Sequence, residues 1–158
     1  EGGQLWTTTY DHKGGNDIVR AVAIDAEDQA VIVGEVYAPI GLANVVVRRL
    51  DGAGAAVWTE IYDSAGSDND VGRGVAVAPD GTIVAAGQEY TATDFAGVWA
   101  RKYTTAWAAL WTHTHDGDGA GDDIARAVAI GADGAVYVAG QEYAPGQFAT
   151  LWLRKLNP

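Results

Sequence analysis

The sequence predicts an all-β fold built from three copies of one four-stranded unit, and two observations carry this prediction. Residues of distinctive chemistry recur at a spacing of 53, among them Arg20, Arg73 and Arg126. Each copy also contains four short runs rich in β-branched and aromatic residues, whereas no stretch shows sustained helical periodicity with caps. A fixed period of this size indicates supersecondary units that stack on one another.

The repeats divide the 158 residues into 1–52, 53–105 and 106–158. The second and third repeats align without gaps and are identical at 23 of 53 positions. The first repeat is one residue shorter, in the loop that ends at Asp17. Surface loops tolerate such deletions, so the three segments are predicted to share one structure.

Each repeat is predicted to form four strands in a fixed order. The first contains Trp and Thr and ends in an acidic, glycine-rich loop, and the second is an apolar run with one Arg, which suits a strand buried on both faces. The third follows a tight turn, and the fourth carries a basic pair. The predicted strands are 5–10, 18–24, 30–37 and 44–50; then 57–62, 71–77, 82–90 and 97–103; then 110–115, 124–130, 135–143 and 150–156.

Four strands in a repeat of about 53 residues are typical of a β-propeller blade. The motifs Arg-x-Val-Ala-Val, Asp-Gly, Val-x-Val-Ala-Gly and Trp-x-Arg-Lys-Leu, in this order, resemble the bacterial β-propeller repeat family often called SBBP. They are also similar to related blade repeats with the motif Asp-Gly-x-Ile-Val-Val-Ala-Gly. The resemblance covers all three repeats and implies a bacterial protein that is secreted or lies at the cell surface.

Three blades raise the question of closure, because propellers normally close with about 4 to 8 blades. Three blades leave open sheet edges, and such edges pair readily with another chain. Segment 5–10 is predicted to complete the last sheet of a second copy, so that two chains close a six-bladed ring head to tail. An open or helical assembly and a fragment of a longer propeller are the alternatives. The predicted function is therefore self-assembly and protein interaction by strand complementation.

A lectin-like propeller with one site per blade is the alternative function. Aromatic faces stack on sugar C–H groups, and carboxylates accept hydrogen bonds from sugar hydroxyls. The residues that fit this chemistry follow the third strand of each repeat or lie in a turn: Tyr37, Tyr90, Tyr143, Glu89, Glu142 and Trp107. Trp107 is predicted to be exposed, since its equivalent in the second repeat is the turn residue Gly54. Ordinary turn and packing roles explain the same residues.

The repeated charges form a second candidate set, in which each Arg follows an Asp by three residues. Its members are Asp17, Arg20, Asp70, Arg73, Asp123 and Arg126. Because buried charges need partners, these residues are predicted to form a structural network that bridges adjacent blades. The alternative is a ring of guanidinium groups that binds an anion or a sugar near the central channel. Most of the six Trp residues are predicted to pack between blades.

Composition and the remaining motifs exclude several function classes. A net charge of −11 argues against a nucleic-acid partner, and no run approaches the about 20 apolar residues of a membrane span. The loop from Asp116 to Asp123 offers oxygen ligands for Ca²⁺, but its sister loops keep only the first and last Asp, so no metal or cofactor is predicted. With three His, two Ser and no Cys, no catalytic set can be assembled, and no enzyme activity is predicted.

Overall fold

The protein is all-β, as the sequence predicts. The computed structural model describes residues 2–37, 41–65, 69–91 and 95–158, which form eleven antiparallel strands and no helix. The strands are β1 Asp17–Ile24, β2 Ala30–Tyr37, β3 Ala43–Leu50, β4 Ala56–Tyr62, β5 Val71–Val77, β6 Ile83–Tyr90, β7 Ala96–Tyr103, β8 Ala109–His115, β9 Ile124–Ile130, β10 Val136–Tyr143 and β11 Ala149–Leu156. Among these residues, nothing forms a helix with the length and apolar character needed to cross a membrane.

The strands form three sheets with the orders β1-β2-β3-β4, β5-β6-β7-β8 and β9-β10-β11, called here the first, second and third sheets. The sheets are offset from the sequence repeats, because β4 and β8 are the leading strands of the second and third repeats. The third sheet has no described counterpart of β4 or β8. The prediction of a strand at 5–10 is wrong for the isolated chain: residues 2–10, called here the N-terminal segment, form no strand. A strand requires a ladder partner, and no described strand pairs with this segment.

Each sheet begins with a strand that carries a β-bulge, and the repeated arginine is the bulged residue. In β1 the register skips Arg20, and in β5 and β9 it skips Arg73 and Arg126. A bulge redirects the extra side chain and increases the local twist. The repeated arginines therefore occupy equivalent backbone positions on three strands, and β5 contacts both β1 and β9.

The glycine that faces each bulge is required by a close approach of two backbones. A Cβ atom on Gly87 would lie 1.9 Å from the carbonyl oxygen of Val71, and Gly34 and Gly140 have the same contact with Ile18 and Ile124. No side chain fits at that distance. The period-53 glycine therefore follows from the bulge geometry.

Two apolar cores lie between successive sheets. The first core contains Val45 and Val47 from the first sheet with Trp99 and Tyr103 from the second sheet. The second core includes Trp152 of the third sheet. Trp99, Trp152 and their counterpart Val46 are all buried, so this repeat position packs in each sheet. The cores fix how neighbouring sheets face each other.

Candidate functional site

The repeated aspartates hold the loop that precedes each sheet. Asp17 accepts hydrogen bonds from the backbone N–H groups of His12 (2.6 Å) and Tyr37 (3.3 Å). Asp70 accepts equivalent bonds from Ser64 (2.6 Å) and Tyr90 (2.9 Å). The third copy of this arrangement joins Asp123 to the N–H groups of Gly117 and Tyr143. These carboxylates thus position the ends of the third predicted strands, where the candidate ligand residues lie.

The same loops connect each sheet to the one before it. The N–H of Asp70 donates to the carbonyl of Ala43, and the N–H of Ala43 donates to the side chain of Asn69, both at 2.8 Å. The loop before the third sheet repeats this pair of bonds: the N–H of Asp123 donates to the carbonyl of Ala96 at 2.8 Å, and the N–H of Ala96 donates to the Asp122 carboxylate at 3.0 Å. These backbone contacts of Asn69 and Asp122 were not predicted, although an amide or carboxylate side chain recurs at the period of 53 as Asn16, Asn69 and Asp122.

Between the first and second sheets, Tyr62, Asp70 and Glu89 meet at the loop end. The Tyr62 hydroxyl donates to the Glu89 carboxylate at 2.5 Å, and both Asp70 and Glu89 are buried. Burial raises the pKa of Glu89 and of Asp70, and it raises the pKa of the Tyr62 hydroxyl as well. Glu89, a predicted carbohydrate ligand, is therefore buried and accepts a hydrogen bond from Tyr62 of the same chain.

Between the second and third sheets, the equivalent positions hold His115, Asp123 and Glu142. His115 Nε2 lies 3.0 Å from Glu142 Oε1, and one ligand atom of each of the three residues lies within 4.8 Å of the others. Trp152 stacks on the imidazole, with ring centroids 5.5 Å apart and planes 14° apart. Asp123 and Glu142 were predicted in separate candidate sets, and His115 in none. The available signal was the repeat position of His115, which lies 53 residues after Tyr62 and is therefore its equivalent in the next repeat.

The N-terminal segment repeats two of the contacts that β4 makes, although its residues are exposed. Arg48 stacks over the Tyr10 ring at 4.2 Å, which matches the contact of Arg101 with Tyr62 at 5.1 Å. The Trp6 ring covers Gly54, as the Trp58 ring stacks on Trp107. Residues 8–10 and the first sheet together line a cleft of about 270 Å³. The segment thus shares two contacts with β4, while no described strand pairs with it.

The arginines form contacts separate from those of the aspartates, so the single Asp–Arg network that the spacing predicts is not the arrangement described. Arg20 makes a bidentate pair with buried Glu35, at 2.9 and 2.5 Å, and this pair raises the Arg20 pKa. Arg73 and Arg126 donate instead to the neutral amides of Gln88 and Gln141. Burial, together with the charges of Arg126 and Arg20, lowers the pKa of Arg73.

The candidate aromatic residues are each half-buried. Tyr90 donates its hydroxyl to Asp122 at 3.3 Å, and the Tyr143 ring packs over Gly121. Trp107, predicted to be exposed, stacks on Trp58 with centroids 5.7 Å apart and lies under the Arg49 guanidinium at 4.2 Å. The backbone of Trp107 has φ of 67°, in the left-handed region that Gly54 occupies in the second repeat. Tyr90, Tyr143 and Trp107 thus each contact other residues of the same chain.

The two ends of the array of sheets expose apolar side chains whose equivalents are buried. Leu151 on β11 is 89% exposed, whereas Val45 and Val98 at the same repeat position are fully buried. At the other end, Ile18 on β1 is 40% exposed, whereas Val71 and Ile124 are 7% exposed. Local sequence does not distinguish the end positions, because apolar residues occupy them in every repeat, whereas the count of three repeats predicts two open ends.

The acidic loop from Asp116 to Asp123 uses two of its carboxylates for backbone contacts. Asp122 and Asp123 accept hydrogen bonds from the N–H groups described above. Among the residues that the structure describes, the cluster suited to a metal joins Asp123 to His115 and Glu142.

No protein-family model matches the chain, and the comparison with curated proteins finds no match.

Proposed function

We propose that this chain is a β-propeller module whose function is self-assembly through strand complementation, with two copies closing head to tail into a six-bladed ring. One observation carries the proposal. The N-terminal segment makes with the first sheet the same arginine–tyrosine contact that β4 makes with the second, while no described strand occupies the fourth position of the third sheet. A second copy offers the missing sheet to the segment and the missing strand to β11.

The repeat fixes the register of the proposed pairing. In the first sheet Arg48 faces Thr59, and in the second sheet Arg101 faces Thr112. The same spacing places Thr7 of one copy opposite Arg154 of the other. It also places Asp17 and Asn16 of one copy at the backbone of Ala149 in the other, where they repeat the bonds that Asp70 and Asn69 make with Ala43.

The apolar residues that would meet between two copies differ in size from their counterparts inside the chain. Gly72 packs against Val33 and Val45, and any Cβ on Gly72 would lie 2.4 Å from the Val33 side chain. Val19 stands at the position of Gly72, and in the ring it would face the counterparts of those two valines, Ala139 and Leu151. The smaller Ala139 offsets part of the volume that Val19 adds, while Leu151 is one carbon larger than Val45. The facing side chains are apolar on both surfaces, as burial between two copies requires.

The experiment is a mass measurement in solution combined with a register-specific cross-link. We expect the 158-residue chain to have twice its 16.5 kDa mass by light scattering and native mass spectrometry. Because the chain has no Cys, the double variant Thr7→Cys, Arg154→Cys carries thiols at these two positions alone, and peptide mapping distinguishes the designed 7–154 disulfide from 7–7 and 154–154 links. It should link two copies covalently in oxidising buffer.

The matched control moves one cysteine by one position, to Lys155→Cys, where a β-strand side chain points to the opposite face. This control should remain unlinked. A folded monomer, a cross-link confined to single chains, or equal linking of both variants would overturn the proposal. A filament of large and variable mass would overturn the closed ring.

A further inference from the structure

We propose that His115, Asp123 and Glu142 form a binding site for one divalent transition-metal ion of the zinc class. The three side chains come from β8, the loop before β9, and β10, so the site joins the second and third sheets. All three belong to one chain. The site therefore does not depend on the proposed assembly.

The spacing of the donor atoms suits a small tetrahedral ion. Zn²⁺ binds imidazole nitrogen and carboxylate oxygen at about 2 Å, which places neighbouring ligand atoms about 3.3 Å apart. His115 Nε2 and Glu142 Oε1 are 3.0 Å apart, and the set that includes Asp123 spans no more than 4.8 Å. Small side-chain adjustments would bring the three atoms around one ion.

The donor atoms of the three side chains indicate which class of metal ion the site would bind. A neutral imidazole with two carboxylates is a ligand set for Zn²⁺ and its neighbours, whereas Ca²⁺ takes six to eight oxygens and Mg²⁺ an octahedron of oxygens. Asp123 is buried, while the side chains of His115 and Glu142 are 19% and 30% exposed. Three protein ligands on a partly open face leave a fourth position for water or a small anion.

The surroundings hold the imidazole in place. Trp152 stacks on the His115 ring, and the Asp123 carboxylate is fixed by the N–H groups of Gly117 and Tyr143. Gly117 leaves the space beside the site open, since a Cβ there would lie 2.9 Å from Asp123 Oδ2 and 3.0 Å from Glu142 Oε1. A bound ion would replace the hydrogen bond between His115 Nε2 and Glu142 Oε1, since both atoms would become metal ligands.

The second repeat supplies an internal control, because Tyr62, Asp70 and Glu89 hold the equivalent positions. The two sites differ in one side chain, and a neutral phenol is a poor zinc ligand. The variant His115→Tyr therefore copies a natural arrangement of this chain and should fold. The reverse variant, Tyr62→His, should create a second site.

The test is isothermal titration of the full chain with ZnCl₂, with CaCl₂ as the comparison cation. We expect one Zn²⁺ per chain in the wild type, at least a tenfold weaker affinity in H115Y and in E142Q, and two Zn²⁺ per chain in Y62H. His12→Tyr removes a histidine outside the cluster and should bind as the wild type does. Circular dichroism and melting curves establish that each variant is folded.

The assignment would be overturned if H115Y and E142Q bound Zn²⁺ as tightly as the wild type. It would also be overturned if H12Y lost binding to the same extent as those variants, or if Y62H still bound one ion per chain. A Ca²⁺ affinity that equals the Zn²⁺ affinity and also disappears in H115Y would overturn the choice of metal class.

Discussion

Leu151→Ala is the most direct test of the apolar surface proposed to join two copies. Leu151 is 89% exposed in the single chain, whereas its counterparts Val45 and Val98 are fully buried between sheets. Truncating a buried leucine to alanine costs about 2 to 3 kcal/mol at the low end of measured values. A head-to-tail ring contains two such contacts, so the free energy of dimerisation should fall by about 5 kcal/mol, or about 10³ to 10⁴ in Kd.

Sedimentation velocity over a concentration series measures this change, and far-UV circular dichroism follows the fold of each protomer. Leu110→Ala is the matched control, because Leu110 is 54% exposed and its counterpart Val57 is also exposed, at 50%. The control should change the Kd by no more than about threefold, as exposed positions usually do. A folded L151A chain with the wild-type Kd, or an equal loss in L110A, would refute the packing argument.

Two further predictions concern stability within the chain. Gly87→Ala should lower the free energy of unfolding by about 3 kcal/mol, because the new Cβ would lie 1.9 Å from the Val71 carbonyl oxygen. Urea denaturation measures this loss, and Gly52→Ala, whose Cβ meets its nearest atom at 3.8 Å, should be nearly neutral; equal effects would contradict the close-approach argument. Glu89→Gln should raise the melting temperature at pH 7. Burial raises the Glu89 pKa above its ordinary 4.5, so the folded wild type binds the proton more tightly than the unfolded chain and loses stability as pH rises through that window. The gap between variant and wild type should close as pH falls towards 4, and a gap that widens in acid would refute the assigned cause.

The sequence by itself determined the secondary structure and its order. Alternating and β-branched runs predict strands because their side chains suit a pleated sheet, and the period of 53 showed that one unit recurs. Eleven of the twelve predicted strands form, with small differences at their ends. The twelfth, at 5–10, fails to form because a strand depends on a partner, and local sequence contains no information about whether that partner is present.

The tertiary structure decided which repeated residues meet. The spacing of Asp17 and Arg20 suggests a pair, but the β-bulge at Arg20 redirects its guanidinium to Glu35 on the neighbouring strand. The grouping of His115 with Asp123 and Glu142 likewise depends on packing between two sheets. Sequence periodicity identifies equivalent positions along the chain, whereas contacts between sheets depend on backbone register and twist, which only the folded chain fixes.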